Sequence, residues 1–183
     1  MAQIRQWLLI FGICTITTLS LYTHDANATV IPNFTLPQLI DRADIIAVGT
    51  VTKLTATRSG PHQFIYTDYT LQTNDVWLAR GTARQLKVGA PIELRQIGGV
   101  LGDVEQSVVG TADLRVGDTI IIVARFVEGR AYLVGMGQGA RYLSNSSVLT
   151  SRPSKALANR KVPGEPLQHF KQRVRNLLDE VGQ

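Results

Sequence analysis

Residues 64–81 read FIYTDYTLQTNDVWLARG, a run rich in aromatic and β-branched side chains. In its first half Tyr69 and Leu71 fall on one side of an extended chain. In its second half Val76 and Leu78 fall on the other, because strand side chains alternate with a period of two. One residue has slipped between the halves, and Asn74-Asp75 is where the sequence predicts a bulge or bend. A long strand bent at a bulge is a device by which small barrels close.

The segments on either side have the same β character. IIAVGTVTKL, Ile45 to Leu54, is β-branched, with Gly49 inside it as a bulge or a point of close approach. It is preceded by FTLPQLIDRAD, a short helix with Thr35 as N-cap, Pro37 in the first turn and Leu36, Leu39 and Ile40 on one face. Ser59-Gly60-Pro61 marks the turn into the long strand.

Downstream, PIELRQI sets Ile92 and Leu94 against Glu93 and Arg95, and runs into the glycine-rich stretch IGGVLGDVEQS. Val116-Gly117-Asp118 then reads as a turn before a strand from Thr119 to Val127. Glu128-Gly129-Arg130 is a hairpin turn, with a return strand from Ala131 to Val134. The strand Ile120 to Phe126 is apolar on both faces, so another element must cover its outer side. The final segment supplies one: Leu167, Phe170, Val174, Leu177, Leu178 and Val181 recur at helical spacing. Gly135, Gly137 and Gly139, spaced by two, would face one way in a strand and leave a trench. That trench would be a dock for the last helix or an open groove.

These patterns predict a mainly β fold. It is a small antiparallel OB-like barrel, preferred to a β-sandwich, with a short N-terminal helix and a C-terminal amphipathic helix. Residues 1–28 have the basic, apolar and small-residue regions of a secretory signal ending in Ala26-Asn27-Ala28. The expected organisation is a signal peptide over 1–28, a barrel domain over 29–149, a linker over 150–164 and the amphipathic helix over 165–183. Once the signal is removed no transmembrane segment remains, and the protein is periplasmic or secreted.

Composition narrows the chemistry. The only cysteine, Cys14, lies in the signal, so the exported chain has no thiol nucleophile and no disulfide. The formal net charge is +5, and most of it sits near the end. From Arg152 onward seven basic residues (Arg152, Lys155, Arg160, Lys161, Lys171, Arg173, Arg175) face three acidic ones (Glu165, Asp179, Glu180). Such a tail suits an anionic envelope component or an acidic protein, and the export signal argues against nucleic acid.

Several catalytic patterns are missing. Outside the signal the histidines are His62 and His169, too few and too far apart for the histidine pair of a zinc protease. No G-x-S-x-G elbow is present. IGGVLGDVEQS has neither the lysine of a phosphate loop nor a following helix. No cofactor, metal or catalytic residue is assigned. The candidate ligand-binding residues are Gly98, Gly99, Gly102, Asp103 and Glu105 in the glycine-rich stretch, with Gly135, Gly137 and Gly139. Asp103 and Glu105, two apart, would also suit a hydrolase acting on a cell-wall or polysaccharide substrate.

Taken together, ADIIAVGTV, YTDYTLQTNDVWLARG, IELRQIGG, RVGDTIIIVARF and YLVGMGQGARYL resemble a family of exported bacterial proteins of uncharacterised function. The set is also distantly similar to the OB-type barrel of netrin-like domains and tissue inhibitors of metalloproteinases. The resemblance implies the barrel fold and, more remotely, an inhibitor or accessory protein of an exported metalloprotease. The chain departs from those inhibitors in having Thr29 where they carry a zinc-ligating cysteine at the mature N-terminus. The expected function is an exported, non-catalytic β-barrel module that binds a protein or an envelope polymer.

Overall fold

The computed structural model describes residues 32–152 and 164–181. The expected signal peptide and most of the expected linker lie outside them. The fold is mainly β, with a short helix before the strands and a longer one after them.

Helix α1, Leu36–Asp41, begins at Thr35, whose backbone N–H donates to Oε1 of Gln38 at 2.9 Å. Its Leu39 and Ile40 are buried. Strands β1, Ile45–Ser59, and β2, Phe64–Ala79, form a long antiparallel hairpin. Its register steps three times. Asn74 is left without a partner between the pairs Gly49–Thr73 and Val48–Asp75, as the phase change in the sequence predicts. Trp77 and Thr52 are skipped at the other two steps. Gly49 is also a point of close approach: a Cβ there would stand 3.2 Å from the Leu71 Cβ.

Strand β3, Pro91–Ile97, pairs with β2 and alternates as read, with Ile92 and Leu94 inside. The chain then makes a separate hairpin from β4, Gly99–Leu101, and β5, Val104–Gln106. Strand β6, Thr119–Val127, turns through Glu128-Gly129 into β7, Arg130–Leu133. The sheet continues through β8, Ala140–Ser144, β9, Ser147–Leu149, and β10, Glu165–Pro166.

Pairing runs β1-β2-β3-β7-β6 and returns to β1 through six residue pairs, Ile45–Ala124 to Thr50–Thr119. The ring closes unevenly. Its β3–β7 seam is parallel, unlike the other pairings, and consists of the single pair Leu94–Ala131.

Two apolar clusters hold this arrangement. Inside the ring, Ile45, Ala47, Leu71, Ile92, Leu94, Ile120 and Ile122 pack together. On the outer side, Ile46, Val48, Ile121 and Val123 are covered by Leu39 and Ile40 of α1 and by Phe170 and Val174 of α2, Leu167–Val181. This explains why β6 is apolar on both faces. Val181, which shares the helical periodicity, is exposed.

The glycine trench does not form. Gly135 adopts the left-handed conformation, φ 64°, and Met136 follows it at φ 58°, so the chain leaves β7 and makes a 3-10 turn over Met136–Gly139. The three glycines face different neighbours. A Cβ on Gly135 would meet the Phe34 ring at 2.7 Å, one on Gly137 the Gly110 carbonyl at 2.7 Å, and one on Gly139 the Val123 carbonyl at 2.5 Å. They admit close packing and offer no dock for α2, which lies instead on the outer cluster.

Candidate functional site

The helices cover the outer side of β1 and β6 but leave polar and aromatic side chains on β2, β3 and β7. Cross-strand partners share a face, and the register sets Asp68 opposite Arg95 and Tyr66 opposite Ile97. Arg95 grips Asp68 with two parallel hydrogen bonds, Nε to Oδ1 and Nη2 to Oδ2, each 2.6 Å. Arg130 of β7 adds its Nε at 3.9 Å from Oδ1. The hydrogen bond from Arg95 is the main reason the Asp68 carboxyl lies below the usual aspartate range, with burial opposing it. The Arg95 guanidinium also lies 5.6 Å from the centre of the Tyr66 ring.

Because β3 and β7 pair only at Leu94–Ala131, a cleft of about 190 Å³ lies along their seam. Tyr66, Arg95, Ile97, Tyr132, Leu133 and Met136 line it. Two rings and a guanidinium held in place by an ion pair make a surface suited to flat or ring-shaped groups: aromatic faces supply contact area, and the phenol hydroxyls supply hydrogen bonds.

The floor beyond this cleft is set by Gln96, whose side chain points inward with Ile92 and Leu94. Its Oε1 accepts from the Ala112 backbone N–H at 2.9 Å, and its Nε2 reaches the Ala112 carbonyl at 3.4 Å. One buried amide thus acts as a strand partner and pins the 107–114 segment to β3. Two further cavities flank that segment, and Thr111 lines all three.

The second cavity, about 320 Å³, is lined by Gly98, Gly99 and Glu105 together with Tyr69 and Gln106. The glycine-rich stretch therefore contributes to a cleft, but only through its base. Gly102 and Asp103 form the exposed turn of the β4–β5 hairpin and are not among the lining residues. Glu105 lies on β5 opposite Val100, so Asp103 and Glu105 do not share one extended segment. The hairpin is seated on β2: Gln106 Oε1 accepts the Ile65 N–H at 2.9 Å, and Thr67 Oγ1 donates to the Gly98 carbonyl at 2.7 Å.

The third cavity, about 470 Å³, includes Gly137 in its lining. Gly135 and Gly139 are packing positions. Among the described residues no group of three or more His, Cys, Asp or Glu side chains is arranged to hold a metal ion. Also among them, no helix is long and apolar enough to cross a membrane.

Tyr66, Asp68, Arg95 and Tyr132 escape sequence reasoning because they meet only through the register of three strands. The alternation of PIELRQI puts Arg95 on an outward face but does not indicate its partner. No protein-family model and no curated protein sequence matches this chain.

Proposed function

We infer that the protein is an exported, non-catalytic binding module built on an OB-like barrel, with a protein or an envelope polymer as its partner. Supporting the fold assignment is the strand order, a five-strand ring β1-β2-β3-β7-β6 in which the neighbours β3 and β7 run parallel, as in a partly open Greek-key barrel. Supporting the export assignment is the signal-like pattern of residues 1–28.

The observation that carries the binding reading is the β3–β7 cleft. Tyr66 and Tyr132 flank a guanidinium already fixed by Asp68, so the surface is ordered before any partner arrives. Preorganised aromatic and arginine side chains lose little entropy on binding, which is why they dominate recognition surfaces. In barrels of this class the corresponding strand face and adjoining loops carry the ligand.

The test is co-sedimentation of the purified protein with insoluble envelope polymer, alongside affinity capture from the exported protein fraction. Tyr66→Ala and Tyr132→Ala should each weaken retention by about tenfold while leaving the cooperative thermal transition in place. Retention equal to that of the unsubstituted protein in both variants would refute the reading.

A further inference from the structure

Arg141 on β8 is a half-buried guanidinium that meets no carboxylate among the described residues. Its Nη1 donates to two main-chain carbonyls, those of Gln138 at 2.6 Å and Ala140 at 2.8 Å. Those carbonyls fix the side chain without neutralising it, and among the described residues Nε and Nη2 have no acceptor. Burial first, and then repulsion from Arg173, disfavour the charged form. Residues 153–163, PSKALANRKVP, contain no aspartate or glutamate that could serve as a partner.

Arg141 lines the 470 Å³ cavity together with Thr111, Tyr142, Thr150, Ser151 and Arg152. Arg152 is already engaged. It lies 2.7 Å from Asp118 Oδ1 and 3.8 Å from Asp113 Oδ2, and Asp113 also borders the cavity. Among the described residues one positive charge is therefore left over, beside four hydroxyl-bearing side chains.

We propose that this cavity binds the carboxylate of a residue-sized ligand, received on the Nε and Nη2 edge of Arg141. A planar fork of two N–H donors matches a carboxylate in shape and in single charge. A dianionic phosphate would find only one uncompensated cation and would face Asp113. The volume falls within the range of pockets that enclose small ligands, so Thr111, Thr150 and Ser151 can bind the polar groups next to the carboxylate. The carboxylate could come from a sugar acid or from the end of a peptide chain. The site shares only Thr111 with the cleft between Tyr66 and Tyr132.

NMR titration of the purified protein separates the two sources. Glucuronate and N-acetyl-dialanine are the probes, with glucose and N-acetyl-dialaninamide as their neutral counterparts. The expected result is that one carboxylate probe gives saturable shifts at the Thr111, Thr150 and Ser151 amides while its neutral counterpart gives none. Arg141→Gln should weaken that binding at least about tenfold, whereas Tyr66→Ala and Tyr132→Ala leave it unchanged. The Arg141 Nε–H resonance of the unsubstituted protein should move with the same saturation curve, which keeps the test decisive if Arg141→Gln fails to fold. Equal response to a neutral probe, full affinity in Arg141→Gln, or no saturation with either carboxylate at millimolar concentration would overturn the proposal.

Discussion

Arg95 and Asp68 meet across β3 and β2 through two 2.6 Å hydrogen bonds, with both side chains more than four-fifths shielded from solvent. The pair orders the recognition face and also contributes to stability. Asp68 has its folded pKa held below the ordinary 3.8, so its contribution is complete above that pH and disappears as the pH falls through the lowered folded value. Asp68→Asn should cost about 1–2 kcal/mol at neutral pH. The variant should also show a flatter acid limb than the parent when urea midpoints are followed from pH 6 down to about pH 2. Parallel acid limbs would show that the pair adds nothing to stability.

Gly99 shows why the glycine-rich stretch carries glycine where it does. Its φ is 134°, and a Cβ there would overlap the Thr67 hydroxyl that donates to the Gly98 carbonyl. Gly99→Ala should therefore destabilise the protein by about 2–4 kcal/mol. Adding Thr67→Ala should recover only part of this, because the overlap is relieved while the backbone strain persists. Gly102→Ala, at φ 61° with open space around the missing Cβ, should cost about 1 kcal/mol. Denaturant titration of the three variants checks all three expectations.

Much of the sheet could be read from the sequence because burial there follows the strand period. The slip at Asn74 was visible since Leu71 and Val76 fall on opposite phases. The step at Trp77 was not, because Trp77 is itself apolar and packs outward against Phe170, with ring centroids 6.1 Å apart. Gly135, Gly137 and Gly139 misled for a related reason: spacing by two is the same in a strand and in a turn. The element that distinguishes them is a positive φ at Met136, which leaves no mark in composition. Arg141 was equally silent. Whether an arginine is exposed, paired or left over depends on residues distant in sequence.

The last helix is held by more than its apolar stripe. Lys171 pairs with Asp75 at the bulged part of β2, and Trp77 Nε1 donates to the same carboxylate at 2.8 Å. Phe170 is 3% exposed in the outer cluster. Phe170→Ala should cost about 3–4 kcal/mol, and Lys171→Ala only about 1 kcal/mol. Removing residues 164–183 should uncover Ile46, Val48, Ile121 and Val123 and yield an insoluble or dye-binding chain. A truncated protein that stays soluble, binds no 8-anilinonaphthalene sulfonate and melts cooperatively would show that α2 is dispensable for the sheet.

Tyr142 links β8 to the 107–114 segment, its hydroxyl donating to the Asp113 carbonyl at 2.8 Å. Burial chiefly, and then the nearby carboxylates of Asp113 and Asp118, push its pKa up to about 12 from the ordinary 10.0. The sign follows from which form the fold prefers. The folded state favours the neutral phenol, so Tyr142 stabilises the protein fully below pH 10 and loses that effect as the pH rises towards 12. Tyr142→Phe should cost about 1 kcal/mol at neutral pH through the lost hydrogen bond, yet resist alkaline unfolding better than the parent relative to its own neutral stability. Ultraviolet difference titration should show one fewer late-ionising phenol in the variant. If the late phase is unchanged, another tyrosine is responsible for it. Tyr69, whose pKa is also raised by burial, is the first to replace.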